Sequence, residues 1–229
     1  MEGRSEPGIT ASIENYLKAV YRLEQDGLPG ETNRLTEILG GIKPASVTAM
    51  VKKLADMDLL EYVPYQGVKL TPAGRRISLK VLRRHRLIEL YLVEHLNYSW
   101  DEVHLEAEQL EHYVSDKMVE RIAQKLGNPE FDPHGDPIPG LDGNVPARES
   151  ISLADCSPGK AMQVFRVLDQ NADVLQFLAE NKLTPGAEVT VRSRDSFTGT
   201  VSVAIHGKNL TMERSLAARI LVSPQVPKA

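Results

Sequence analysis

Between residues 32 and 74 the chain carries a run of turn signals that leaves few folds open. Residues 32–39 have one short helical pattern and stop at Gly40-Gly41, where a helix ends without strain. Pro44 then stands at a first helical position, the place in a helix that accepts proline, and Val47, Met50, Val51 and Leu54 recur at helical spacing as far as Met57. Residues 60–63 and 68–71 alternate like strands around Pro64-Tyr65-Gln66-Gly67, which has the composition of a hairpin turn. Thr71 followed by Pro72 caps and opens a further helix. Helix, glycine turn, helix, hairpin and helix make a winged helix-turn-helix. Residues 10–25 form a helix ahead of it, with Ile13, Leu17, Val20 and Tyr21 as its apolar stripe and Thr10 or Ser12 as its cap.

A winged helix binds either DNA or a protein. The outer face of the helix from Pro44 favours DNA, because it carries donors that reach phosphates and base edges. Ser46, Thr48 and Ala49 are placed for base edges, with Ala45 beside them and Ala49 small enough to meet a thymine methyl. Lys43, Lys52 and the wing residues Tyr65 and Gln66 are placed for phosphates. The net charge of −4 argues weakly against nucleic acid, but the charge is unevenly spread. Residues 75–86 hold Arg75, Arg76, Lys80, Arg83, Arg84 and Arg86 with no acid, whereas residues 101–120 are acidic.

That acidic stretch contains a second pattern. On a helix, His104, Glu108, Glu111 and His112 fall at i, i+4, i+7 and i+8 and form one stripe. Upstream, His85 and Glu89 are i, i+4 neighbours. A solvated helix face is the plain alternative. Against it, the apolar positions Val103, Ala107, Leu110 and Val114 lie one residue away in phase, so the stripe borders a core. Carboxylates and imidazoles at such a border repel one another, or are costly to bury, unless a cation joins them. Two facing helices can hold one or two divalent ions with these six side chains. Oxygen and nitrogen donors without thiolate suit Mn²⁺ or Fe²⁺ better than a soft-metal site.

The rest of the chain sets the frame. Its 229 residues are enough for two ordinary domains or one large one. No apolar run approaches about eighteen residues, so no membrane span is expected, and Met1 to Thr10 lacks an apolar signal core. A single cysteine, Cys156, excludes a disulfide within the chain and fits a reducing cytoplasm. A helix from Ser99, with Glu102 in the capping-box position, is expected to run to about Tyr113, and another covers residues 115–126. His134, in a proline-rich loop, reads as a turn histidine, and residues 141–149 read as a flexible linker. Beyond Ile151 the period changes to that of strands, at residues 163–167, 188–192, 201–205 and 209–212, with a short helix over residues 171–180. The expected fold class is mainly α with a small all-β domain. It comprises an N-terminal winged helix (1–74), a helical metal-binding and dimerisation region (75–140) and an SH3-like barrel (150–229).

The stretches Glu14-Asn-Tyr-Leu17, Val47-Thr-Ala-Met-Val51, Leu70-Thr-Pro-Ala-Gly74, His85-Arg-Leu-Ile-Glu89, His104 to His112 and Gly135-Asp-Pro-Ile-Pro-Gly140 together resemble the diphtheria-toxin-repressor family of metal-dependent transcriptional regulators. The resemblance spans nearly the whole chain. It implies a cytoplasmic homodimer that binds a double-stranded DNA operator and represses metal-uptake genes, with no catalytic role, small-molecule substrate or membrane partner. It implies one metal site from His85, Glu89 and His104, and a second from Glu108, Glu111, His112 and Asn15 of the first helix. Metal there would join the first helix to the dimerisation helices and set the spacing of two recognition helices. Glutamate at position 108, where iron-responsive members place cysteine, implies a manganese-responsive regulator. Mn²⁺ is therefore the expected effector, Fe²⁺ the alternative, and Co²⁺, Zn²⁺ or Cd²⁺ substitutes in vitro. From another class, helix-borne Glu and His pairs also build di-metal carboxylate enzymes. A second Glu-x-x-His pair, which such enzymes use, is missing here.

Overall fold

The computed structural model describes residues 8–224, so the polar segment Met1 to Pro7 lies outside the described residues. The chain begins with α1 (Ala11–Gln25), α2 (Thr32–Ile38) and α3 (Pro44–Asp56). The hairpin β1 (Leu60–Val63) and β2 (Gly67–Leu70) follows, then the long α4 (Pro72–Leu96), α5 (Val103–Leu110) and α6 (Asp116–Lys125). The remaining elements are β3 (Ile151–Ser152), β4 (Ala161–Val167), α7 (Ala172–Glu180), β5 (Glu188–Asp195), β6 (Thr200–Ile205), β7 (Lys208–Glu213), α8 (Arg214–Ala217) and β8 (Ile220–Ser223).

Two compact units emerge. The first takes the chain through His85, then Gln109–Lys125 and Pro139–Asn144. The second takes Arg86–Glu108, Leu126–Ile138 and everything from Val145. The covalent helix α4 runs through both.

The first unit is a winged helix extended by α4 and α6. Thr10 caps α1 by accepting from the Ile13 amide at 3.4 Å. Ile13, Leu17, Val20 and Tyr21 are buried together with Leu35, Val47 and Leu54, which joins the inner faces of the three helices into one core. The wing pairs Leu60 with Leu70 and Val63 with Gly67 in antiparallel register. Gly67 has φ +76°, and a Cβ there would sit 2.3 Å from the Gly30 carbonyl oxygen, so this turn needs glycine. The Thr71 hydroxyl accepts from the Gly74 amide at 3.1 Å and starts α4 as expected.

In the second unit, Val164, Val189, Val191, Val203 and Val222 pack with Leu175 and Leu178 into a closed apolar core. The sheet is antiparallel in the order β3-β8-β4-β5-β6-β7, an SH3-like domain. The short β3 and β8 and the one-turn α8 escaped the sequence reading, since they are too brief to show a period. The loop of residues 131–138 is bonded to this sheet. The Val167 amide donates to the His134 carbonyl at 2.9 Å, and Arg166 pairs with Asp136. Gly135 has φ +83°, and a Cβ there would lie 2.0 Å from the Phe165 carbonyl oxygen. Sheet and loop thus fall in one compact body, the turn before residue 145 is closed by the Gly140 amide donating to the Asn144 carbonyl at 2.7 Å, and residues 145–149, in the expected linker, carry no regular secondary structure.

Candidate metal centre and nucleic-acid interface

The continuous stripe expected over His104 to His112 does not form. α5 starts at Val103, after a turn in which the Ser99 hydroxyl meets Glu102 at 2.5 Å, and it ends at Leu110. There the Tyr113 and Val114 amides both turn back to the Leu110 carbonyl, and Ser115 caps α6 through the Met118 amide. Glu111 and His112 thus lie in a turn, and the i+7 and i+8 phase is lost. The backbone break aims their side chains at α1 and α4 instead.

In the first unit this turn gathers a dense polar cluster. Glu111, fully buried, has Oε2 at 2.6 Å from His85 Nδ1 and Oε1 at 2.6 Å from Lys18 Nζ. Burial pushes its carboxyl up, but the hydrogen bond and charge of His85 and the Lys18 ammonium outweigh burial and hold it below the usual range. His112 Nδ1 is 2.6 Å from Glu14 Oε2, and its Nε2 is 2.9 Å from Asn15 Oδ1 and 3.3 Å from Glu111 Oε1. Arg84, also buried, donates to Glu14 Oε1 at 3.1 Å and to Asp116 Oδ1 at 3.0 Å. The carboxylates at this border therefore do not face one another bare, because Arg84, Lys18 and two imidazoles stand between them. Of the group that the resemblance joins to Asn15, His112 and Glu111 are here, whereas Glu108 pairs with His104. Glu14, the neighbour of Asn15 on α1 and the closer contact of His112, was missed. Its buried position beside a basic α4 was the signal available.

The geometry fits a cation. A neutral imidazole has one N–H to give, yet both ring nitrogens of His112 face oxygens. A positive charge, either a second ring proton or a divalent ion taken on by Nε2, removes that conflict.

The second unit brings Glu89 and His104 together, with His104 Nδ1 at 3.0 Å from Glu89 Oε1, and Glu108 Oε1 lies 3.6 Å from His104 Nε2. It adds Asp132, which the sequence did not single out, and His134, for which a ligand role was the lesser reading beside that of a turn histidine. His134 is fully buried and stacks on Trp100, with ring centroids 5.2 Å apart. Its Nε2 lies 3.0 Å from the Trp100 carbonyl, which can only accept, so the ring proton belongs on Nε2. Nδ1 then offers a lone pair with no hydrogen-bond partner among the described residues, 3.9 Å from Glu89 Oε2. Glu89, Asp132 and His134 bring ligand atoms within 4.8 Å of one another. Burial, and then the charges of Asp136 and Glu89, drive the Asp132 carboxyl well above the ordinary range, against the weaker pull of Arg86. One oxygen of Asp132 already holds the loop by accepting from the His134 and Asp136 amides at 2.8 and 2.9 Å. The expected turn histidine is in fact a buried one with a bare nitrogen among carboxylates, and a divalent ion would relieve each of these mismatches. In α7, Asn171 spends its amide oxygen capping the helix.

The residues expected to face DNA are exposed. Lys43, Ala45, Ser46, Thr48, Ala49 and Lys52 are exposed along α3 and just before it, and Tyr65 and Gln66 are exposed at the wing tip. Thr48 donates its hydroxyl to the Pro44 carbonyl at 3.0 Å, which leaves its oxygen and methyl for a partner.

A winged helix joined to helices lined with hard metal donors defines the class, a ligand-controlled DNA-binding regulator. Three family models cover the chain in series: the iron dependent repressor N-terminal DNA binding domain over residues 8–68, the iron dependent repressor metal binding and dimerisation domain over 71–140, and the FeoA domain over 151–224. The iron-dependent repressor of Mycobacterium tuberculosis is 31% identical over 227 residues, covering 93% of this chain and 97% of the relative. The diphtheria toxin repressor of Corynebacterium diphtheriae is 30% identical over 224 residues, with the same coverage. The solved structure of a manganese-dependent transcriptional repressor in complex with manganese has a TM-score of 0.84 and 37% identity, over 93% of this chain and all of that one. The chain belongs to the diphtheria-toxin-repressor family of metal-dependent transcriptional repressors. No helix among the described residues is long and apolar enough to cross a membrane.

Proposed function

We propose that this chain is a cytoplasmic, homodimeric regulator without catalytic activity that binds a double-stranded DNA operator when loaded with Mn²⁺ and represses metal-uptake genes. Residues 1–74 read DNA, residues 75–140 bind metal and dimerise, and residues 150–229 form the SH3-like part. Ligands in the first unit come from Glu14, Asn15, His85, Glu111 and His112. In the second they come from Glu89, His104, Glu108, Asp132 and His134. The observation that carries the reading is the clasp at His112, where Glu14 and Asn15 of α1 meet Glu111 around one imidazole. A divalent ion on Nε2 there would remove the conflict of one imidazole whose two ring nitrogens both face oxygens. α1 packs on the same core as α3, so its placement governs that of the recognition helix. Preference for Mn²⁺ rests on oxygen and imidazole donors with no thiolate. Fe²⁺ is the second reading, favoured by the iron-dependent relatives, and Co²⁺, Zn²⁺ or Cd²⁺ would substitute in vitro.

The test is operator binding by metal-stripped protein against a panel of divalent ions. Expected is tight binding with Mn²⁺ or Fe²⁺, and loss of roughly 10-fold or more in affinity without metal, the scale of a typical coupling between sites. Stripped protein that binds its operator as tightly as loaded protein would end the reading.

A further inference from the structure

We propose that Lys18 is a tethered cation that competes with the metal for Glu111 and so sets the concentration at which the first cluster loads. The inference rests on the proposed metal reading of that cluster. Lys18 lies on α1 one turn beyond Glu14 and Asn15, on the same face. Its Nζ is 2.6 Å from Glu111 Oε1, the oxygen that also lies 3.3 Å from His112 Nε2. Of the two Glu111 oxygens, Oε1 is the one that lies near both Lys18 and His112, while Oε2 lies 2.6 Å from His85, so a divalent ion held by Glu111 and His112 would meet Lys18 at Oε1. Ammonium and divalent ion would then crowd one carboxylate oxygen, and two cations at that distance repel strongly where water is scarce. The Lys18 side chain retains 19% of its exposure, so the flexible stem can withdraw its charge to solvent.

Two consequences follow. Before loading, Lys18 neutralises Glu111 and helps Arg84 hold α1 in place. On loading, the Lys18–Glu111 pair must break, and its strength is subtracted from the metal affinity.

The test uses full-length protein, with Mn²⁺ binding followed by the loss of its free electron-paramagnetic signal. The binding step of this cluster is the one that His112→Ala removes. Lys18→Met keeps length and removes charge. It is expected to tighten that step roughly 10-fold or more, whereas Lys18→Arg, which keeps the charge, should stay close to wild type. Metal-free Lys18→Met should also exchange α1 amides faster than wild type, with Mn²⁺ abolishing the difference. Lys18→Gln repeats the comparison should the methionine variant aggregate. Unchanged or weaker binding in both neutral variants overturns the competition and leaves the metal reading standing. If wild type shows no step that His112→Ala removes, the metal reading of this cluster fails and the inference falls with it.

Discussion

The two polar clusters use the same side-chain types and solve opposite problems. In the first unit each buried carboxylate has a protein cation beside it, with Lys18 and His85 on Glu111 and Arg84 and His112 on Glu14. In the second, Glu89, Asp132 and Asp136 crowd together, and His134 turns a bare lone pair toward Glu89. Arg86, 3.8 Å from both Asp132 and Asp136, and Arg166, paired with Asp136, face this group, yet burial and the charges of Asp136 and Glu89 still drive the Asp132 carboxyl up. A self-neutralised cluster can stand without metal and must give something up to bind it. A cluster short of positive charge gains from any cation that fits. On the proposed metal reading, the first is expected to act as a sensor and the second as a standing site.

The same substitution should have unlike effects at the two places. Glu111→Gln in metal-free protein leaves Lys18 and His85 without their buried counter-charge, and a loss of about 3–5 kcal/mol is expected, the scale for breaking a buried pair. Glu89→Gln removes a charge from beside Asp132 and gives His134 Nδ1 a neighbour able to donate. Because Glu89 also pairs with His104, metal-free stability should change by only about 1 kcal/mol, well short of the loss at Glu111, while metal binding in the second unit falls. Chemical denaturation of both variants, stripped and loaded, reads these changes. Equal losses at the two positions in stripped protein would erase the distinction.

A smaller effect is the response to pH, here of opposite sign. The folded pKa of Glu111 lies below its unfolded value, so its contribution is present above the unfolded pKa and is lost as pH falls through the folded one. The folded pKa of Asp132 lies well above its unfolded value, so the folded state holds the extra proton and stability declines as pH rises through that interval. Hydrogen exchange of stripped protein should show acid loosening the Glu111 turn first, and alkali loosening the loop of residues 131–138 first. The same order in both units would contradict the comparison.

What the sequence disclosed follows the same division. The winged helix was legible because each boundary is written in local chemistry: Gly40-Gly41, Pro44, the Gly67 turn and Thr71-Pro72. The seven residues named as metal ligands all carry polar contacts in one cluster or the other, but the single helix assumed for four of them is broken at Leu110. Apolar periodicity runs on through Val114, and only the cap at Ser115 marks a new start. Asp132 escaped, and His134 read first as a turn histidine, because an irregular loop has no period to read. The local sign was a rigid Asp-Pro-His-Gly-Asp run, which is equally a turn signal. Nothing local in the sequence marks Lys18, and Arg84 is one of a basic run; only the fold shows that one reaches a buried carboxylate and the other is itself buried.

The most direct test of the contrast uses the chain's one tryptophan. Trp100 stacks on His134 and donates to the Pro133 carbonyl at 3.0 Å, so its fluorescence reports the second cluster. Mn²⁺ is titrated into stripped protein in the presence of labelled operator, with tryptophan emission and operator anisotropy recorded on the same sample. Expected is an emission change at the lower metal concentration, and a rise in anisotropy only later, as the Lys18-guarded cluster fills. Anisotropy that rises before the emission change, or in step with it, would show that the two clusters do not divide the work in this way.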